Sequence, residues 1–519
     1  MSASTPVSNP TGDVATLPSR NTGLLMVAVM GVSICQFLDL TIANVALPHM
    51  RTSLGASMES ISWVLTSFII AGVLVLPLTG WLSDRLGSRN LFIGATAMFV
   101  LSSMLCGTAT SLTQMVIYRA IQGMASAFIG PMSQTILFDV NRPSKQAQAM
   151  SIWGMVVMIG PISGPFIGGF LTETLNWRWV FYVNLPIGIP ALVLLWWLLP
   201  SRPIIQRRLD IFGAVALGLG LCALQLMLDR GHHNDWLESR ETVIELLFAL
   251  SAFWIFFVHT RTIAHPLFER FLFRDPNFLM GVAFMVVLGV TNVALSSVLP
   301  TLLQTVYGYD VMDTGMLMAP RGCGVFLTML VTNRLMGKLD SRLMMSVGYL
   351  IAALSLWMMT RWSLDMGSDQ ILLAGFVQGL GLGFVFVPIN LIAFATLAPA
   401  FRTDGTTLMT LFRNLGSSFG ISAIVTMLSR NIQISHADIA ANVTSFNLPI
   451  DPATVTAQLG SVGATAMAML DSEVNRQAAM IAYLDNFYIL FWLVLAIVPL
   501  PWLLKKPKPR TGQNAVPAD

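Results

Sequence analysis

Gly80-Trp81-Leu82-Ser83-Asp84-Arg85-Leu86-Gly87-Ser88-Arg89 is a short polar stretch set between two long apolar ones. Residues 60–83 and 90–118 run without a single Asp, Glu, Lys or Arg. A helix crossing about 30 Å of hydrocarbon at about 1.5 Å per residue needs about 20 apolar residues, and both runs meet that length. The stretch therefore predicts a tight connection between two membrane spans. Its glycines permit a turn and close helix approach, and Asp84 can meet a helix amino terminus or the neighbouring Arg85 and Arg89.

Working outward, charge-free runs recur at 146–172, 179–201, 276–309 and 370–401, with shorter or singly interrupted ones between them. They predict fourteen spans, centred near residues 36, 72, 100, 125, 160, 190, 219, 253, 289, 322, 352, 383, 418 and 494. The eighth is the weakest, because Glu245 and His259 shorten its apolar core. Composition agrees: 55% of the 519 residues are hydrophobic and 11% charged, against about 25% charged in soluble domains. A net charge of +3 disfavours a nucleic-acid partner, which needs a concentrated basic face. Cys35, Cys106, Cys222 and Cys323 all sit inside apolar runs, so neither a disulfide frame nor a metal site is predicted.

With the amino terminus placed inside, 19 of the 29 basic residues fall in cytoplasmic segments and seven outside, leaving Arg119, Arg321 and Arg413 in spans. That bias predicts both termini in the cytoplasm. The expected organisation is an all-α polytopic membrane protein. A tail (1–23) leads to a first six-helix bundle (24–200), an inserted two-helix hairpin (201–275) and a second six-helix bundle (276–504), followed by a tail (505–519). An external segment, 430–483, interrupts the second bundle; within it 464–482, rich in Ala and Met, can form an external helix after the breaks at Pro449 and Pro452.

The two bundles carry a weak repeat. Asp84 and Asp340 share an offset of 256 with Gln122-Gly123 and Gln378-Gly379, and Pro131 meets Pro388 at 257. Paired halves predict a rocking transporter with its site between them near the bilayer midplane. Span five adds Gly160-Pro161-Ile162-Ser163-Gly164-Pro165-Phe166-Ile167-Gly168-Gly169. Its glycines allow close packing, and its prolines remove backbone hydrogen bonds and favour a bend.

An ionisable group in hydrocarbon costs at least about 2.5 kcal/mol, which makes Asp39 in span one a functional candidate. Arg119, in span four, is expected at similar depth. Asp39 is expected to carry a transported proton, with Arg119 answering its charge as the halves rock; a static buried ion pair is the competing reading. Gln36, Asn44, Gln122, Asn292, Gln378, Asn390 and Arg413 are candidates to line a substrate cavity, bonding between helices being the alternative for the uncharged ones. Arg413 and Arg321 can each hold an anion or brace helices, with bracing favoured for Arg321. The 31 Met, 30 Phe and 13 Trp supply adaptable apolar surface. The histidines show no catalytic grouping, which argues against an enzyme, and no phosphate-cradling loop is present, which argues against ATP as driver.

The 80–89 stretch, with its degenerate counterpart Gly337-Lys338-Leu339-Asp340-Ser341-Arg342, resembles the signature loop of the major facilitator superfamily. The span-five sequence resembles the antiporter motif of its proton-driven exporters. With the Asp39 and Arg119 stretches and Trp177-Arg178-Trp179-Val180-Phe181-Tyr182-Val183-Asn184-Leu185-Pro186-Ile187-Gly188, the chain is similar over about 24–504 to the fourteen-span drug-proton antiporters, in their EmrB-like branch. The resemblance implies efflux of hydrophobic or amphipathic compounds across the bacterial inner membrane, without metal or cofactor. It also implies membrane lipid, protons and small hydrophobic substrates as partners, with a periplasmic adaptor of the EmrA type and an outer-membrane channel. A dedicated exporter of one metabolite, such as a fatty acid or siderophore, is the alternative.

Overall fold

The computed structural model describes residues 13–204, 208–231, 236–336, 338–442 and 464–504. Residues 1–12 of the first tail, the tail 505–519, Gly337, and the stretch 443–463 with Pro449 and Pro452 lie outside the described residues. The described residues include fourteen long helices. The first six are α1 (Thr22–Leu54), α2 (Trp63–Leu86), α3 (Ser88–Thr108), α4 (Leu112–Val140), α5 (Pro143–Thr174) and α6 (Trp179–Leu198). Then come α7 (Ile211–Arg230) and α8 (Arg240–Thr262). The last six are α9 (Pro276–Thr305), α10 (Val311–Leu335), α11 (Ser341–Met359), α12 (Ser368–Ala395), α13 (Arg402–Asn442) and α14 (Ala464–Ile497).

Local chemistry sets several ends. The side chains of Asn21, Ser111, Asp210 and Asp275 accept hydrogen bonds from the first free N–H groups of α1, α4, α7 and α9. Gly55, at φ +63°, closes α1. Between α2 and α3 the whole turn is Gly87, at φ +84°. Gly80 to Leu86 is therefore the end of a helix, where the sequence reading places a loop.

Twelve helices are long and apolar enough to cross a membrane, thirteen with α5, whose parts Pro143–Pro161 and Ser163–Thr174 meet at 42°. The remaining helix, α4, has 29 residues. Arg119, Gln122, Gln134 and Asp139 lower its apolarity, the mark of a helix buried among others. A helix covers 464–482, but it runs on into the last span as one helix from Ala464 to Ile497, because no Gly or Pro interrupts it. Likewise α13 continues to Asn442, past the point where a loop was expected to begin.

Packing reveals the repeat. In the first half α1 packs on α5, α2 and α3 on α4, and α3 on α6; in the second α9 packs on α13, α10 and α11 on α12, and α11 on α14. The same glycine serves both. A Cβ on Gly123 would lie 2.1 Å from the Phe68 carbonyl oxygen of α2, and one on Gly379 would lie 2.0 Å from the Arg321 carbonyl oxygen of α10. The two six-helix bundles meet through α5 on α10 and through α13 on α2 and α4. The pair α7–α8 is outside the repeat, with α7 packed on α2 of one half and α13 of the other.

Candidate functional site: a buried carboxylate and the contacts between the halves

Asp39 is 0% and Arg119 1% exposed, and Arg119 Nη1 lies 2.6 Å from Asp39 Oδ2. The other carboxylate oxygen, Oδ1, accepts from Gln122 Nε2 at 3.0 Å and from Asn184 Nδ2 at 3.1 Å. Asn184 Nδ2 also donates to Ser103 Oγ. Five elements converge here, because α1 brings the carboxylate, α4 the arginine and glutamine, α6 the asparagine, α3 the serine and α2 a backbone acceptor. Arg119 Nε donates to the Val64 carbonyl at 3.1 Å, Nη1 donates to Gln122 Oε1 at 2.8 Å, and the guanidinium lies 4.2 Å from the Phe68 ring centroid. A buried carboxylate survives only when paired and bonded, and Asp39 has one cation and three donors in all. A small displacement of α1 against α4 breaks several bonds at once, so this site can couple a change of charge to helix movement.

Asp39 and Arg119 are legible from sequence as charges inside spans, and Gln122 as a repeated residue. Asn184 and Ser103 are not, because a lone amide or hydroxyl in an apolar run gives no indication of its partner. The remaining candidates are dispersed. Gln36 is buried between α1 and α4, where Nε2 donates to the Ser126 carbonyl at 2.9 Å. Asn44 is exposed, seven residues beyond Phe37 on the same side of α1. Asn292 accepts from Arg321, which also donates to Ser296 at 2.9 Å, so Arg321 braces α9 against α10. Asn390, fully buried, donates to the Phe386 carbonyl of its own helix. Gln378 lines a cavity of about 20 Å³ with Tyr349; Gln378 Oε1 and Tyr349 Oη have no hydrogen-bond partner among the described residues. Arg413 reaches across to the first half, its guanidinium 5.8 Å from the Phe37 ring centroid.

The span-five glycines face α1. A Cβ on Gly160 would lie 2.7 Å from Phe37 Cβ, one on Gly164 2.0 Å from Thr41 Oγ1, and one on Gly168 3.0 Å from Ile42 Cγ1. Gly169 is buried, and Pro161 and Pro165 lie at and just beyond the 42° bend. The helix that bends therefore lies directly against the helix that carries Asp39.

One end of the molecule is closed by contacts between the halves. A Cβ on Gly80 would lie 1.7 Å from Asp404 Oδ1 at the start of α13, so α2 ends directly on that helix. Asp84 belongs to this same end; Arg85 stacks on Trp81 and Arg89 on Trp196. Asp139, which ends α4, accepts from Arg202 Nε at 2.6 Å and from Arg402 Nη1 at 3.1 Å. Arg202 in turn donates to Thr403 Oγ1, and the hydroxyls of Thr135 and Thr406 lie 2.9 Å apart. The segment preceding α1 crosses the same end. Leu17 N–H donates to the Asp139 carbonyl, and the Asp13 carboxylate accepts from the Ser144 N–H and hydroxyl, which holds its carboxyl below the ordinary range. Asp139 was not singled out from sequence because an acid at a span end looks like any loop boundary. Further along, the Trp153 indole meets Phe37 edge-on at 6.2 Å and stacks on Phe386 of the second half at 5.9 Å.

Paired six-helix bundles that meet around a bonded intramembrane carboxylate are the architecture of a membrane transporter, and the chain belongs to the Major Facilitator Superfamily, whose family model matches residues 29–421. It is similar to the multidrug export protein EmrB of Escherichia coli (strain K12), with 31% identity over 495 residues, 93% of this chain and 95% of the relative. The fatty acid resistance protein FarB of Neisseria gonorrhoeae is also 31% identical, over 91% of this chain and 94% of its own. Among solved structures, the human organic anion transporter MFSD10 shares the fold at a TM-score of 0.58 and 14% identity, over 91% of this chain and 98% of that one.

Proposed function

We propose that the protein is a proton-driven antiporter that exports hydrophobic or amphipathic compounds across the bacterial cytoplasmic membrane by alternating access, with both termini in the cytoplasm. The observation that carries this reading is the fully buried Asp39, bonded by Arg119, Gln122 and Asn184. Protonation removes the charge that Arg119 answers and leaves the guanidinium to the Val64 carbonyl and the Phe68 ring. The α1–α4 contact then loses its strongest bond, and the change passes to α5 through the Gly160, Gly164 and Gly168 contacts. The closed end at Gly80, Asp139 and Arg402 is the cytoplasmic one, so a proton arriving from outside meets a site sealed from the cytoplasm. The names of the EmrB and FarB relatives support export. A periplasmic adaptor of the EmrA type and an outer-membrane channel complete the path.

The test is movement of lipophilic cations, weak acids and fatty acids from proteoliposomes under an imposed proton gradient. Gradient-dependent movement of several unrelated compounds is expected. Movement of a single compound indicates a dedicated exporter, and equal movement with and without the gradient contradicts antiport.

A further inference from the structure

The three side chains bonded to the Asp39 carboxylate are all donors: Arg119 Nη1 to one oxygen, Gln122 Nε2 and Asn184 Nδ2 to the other. Around them α2 presents the Val64 carbonyl, which Arg119 Nε occupies, and α5 presents its glycines to α1. The other ionisable groups beside Asp39 are two buried thiols, Cys35 of α1 and Cys106 of α3. Such a shell suits a carboxylate. A carboxylic acid in the same place needs an acceptor for its O–H, because a buried donor without one is costly. The neighbouring oxygens that can supply it belong to two amides. Gln122 Oε1 is held, since it accepts from Arg119 Nη1 at 2.8 Å and from the Cys106 thiol. Asn184 is 0% exposed, and its Oδ1 is sealed with no hydrogen-bond partner among the described residues. Turning the Asn184 amide over places Oδ1 where Nδ2 now lies, 3.1 Å from Asp39 Oδ1, and breaks no bond to Oδ1. The bond from Nδ2 to Ser103 Oγ at 3.0 Å is lost, but a hydroxyl also donates, so Ser103 can meet the incoming oxygen.

We propose that Asn184 is a positioning residue for proton coupling, whose side-chain amide turns with the charge of Asp39. Its Nδ2 donates to the carboxylate, and its Oδ1 accepts the O–H formed when a proton binds Asp39 Oδ1. The proton stays on Asp39 and leaves from it, so Asn184 gains and loses none. The inference rests on the reading of Asp39 as proton carrier and supplies the partner of its acid form.

Infrared difference spectra of the full chain in lipid, between alkaline and acid pH, test the turn. The Asn184 side-chain carbonyl is expected to move to lower frequency on acidification, since it gains a hydrogen bond. The signal should be absent from Asn184→Thr, which has no side-chain carbonyl, and from Asp39→Asn, which binds no proton there. In gradient-driven export, Asn184→Leu should move the pH midpoint upward by about one pH unit, because the bond lost to the charged form outweighs the bond lost to the neutral one. Asn184→Thr, whose hydroxyl donates and accepts without turning, should stay nearer the wild-type profile. A carbonyl signal that persists in Asp39→Asn, or none in the wild type, overturns the proposal. So does an unchanged pH midpoint in Asn184→Leu with a lowered melting temperature, which assigns Asn184 to bracing α6 against α1. Wild-type pH dependence of export in Asp39→Asn contradicts the proton-carrier reading instead, and the infrared signal still decides whether the amide answers the charge of Asp39.

Discussion

At the scale of single residues, the site depends on how completely Asp39 is satisfied. Removing one member of a buried ion pair strands the other, at a cost of about 3–5 kcal/mol, whereas removing both leaves no uncompensated charge. Arg119→Ala should therefore melt at markedly lower temperature than the wild type, and Asp39→Ala combined with Arg119→Ala should recover much of the loss. Thermal unfolding in detergent checks this; a double variant no more stable than Arg119→Ala would show that the pair is not the coupled unit described. Charge made this part of the site legible, because an acid or a base in hydrocarbon is rare enough to stand out in one sequence. The neutral partners were not legible. Asn184 lies in the quoted stretch 177–188, yet its bond to Asp39 depends on α6 lying against α1, a tertiary fact with no local trace.

At the scale of elements, length and apolarity located every helix but not its ends. The continuation of α13 to Asn442 was missed because Arg430 and the polar residues after it read as loop, and the merging of the 464–482 helix with the last span was missed because its charged residues set it apart, although nothing in either place stops a helix. The polar 80–89 stretch was read as a loop for the same reason, whereas only Gly87 leaves the helical conformation. The glycines carry more information than the polar residues. Gly123 and Gly379 allow α2 to touch α4 and α10 to touch α12 backbone to backbone, and a side chain there must push two helices apart. Gly123→Val should cost at least about 1–3 kcal/mol, the usual range for overpacking, and Gly379→Val should cost as much. A melting temperature unchanged by either substitution would contradict the close approach that the repeat shares.

At the scale of the whole molecule, the halves are joined at one end by Asp139, Arg202 and Arg402, by the Thr135–Thr406 contact, and by Gly80 against Asp404. Asp139 is the least legible and most connected of these, since it holds an arginine that follows the first half and another that opens α13. Rocking must break this end once per cycle. Thr135→Cys with Thr406→Cys, whose native hydroxyls lie 2.9 Å apart, should cross-link on mild oxidation and arrest transport, with reductant restoring it. Undiminished transport by the cross-linked protein would exclude opening at this end.

Asp39→Asn tests the central claim most directly, because it keeps a hydrogen-bonding side chain of the same size and removes the charge that a proton would neutralise. In proteoliposomes under an imposed proton gradient, the variant is predicted to lose uphill export while still exchanging substrate downhill, without the wild-type dependence on pH. Uphill export by Asp39→Asn at the wild-type rate, with an unchanged pH dependence, would remove Asp39 from proton coupling.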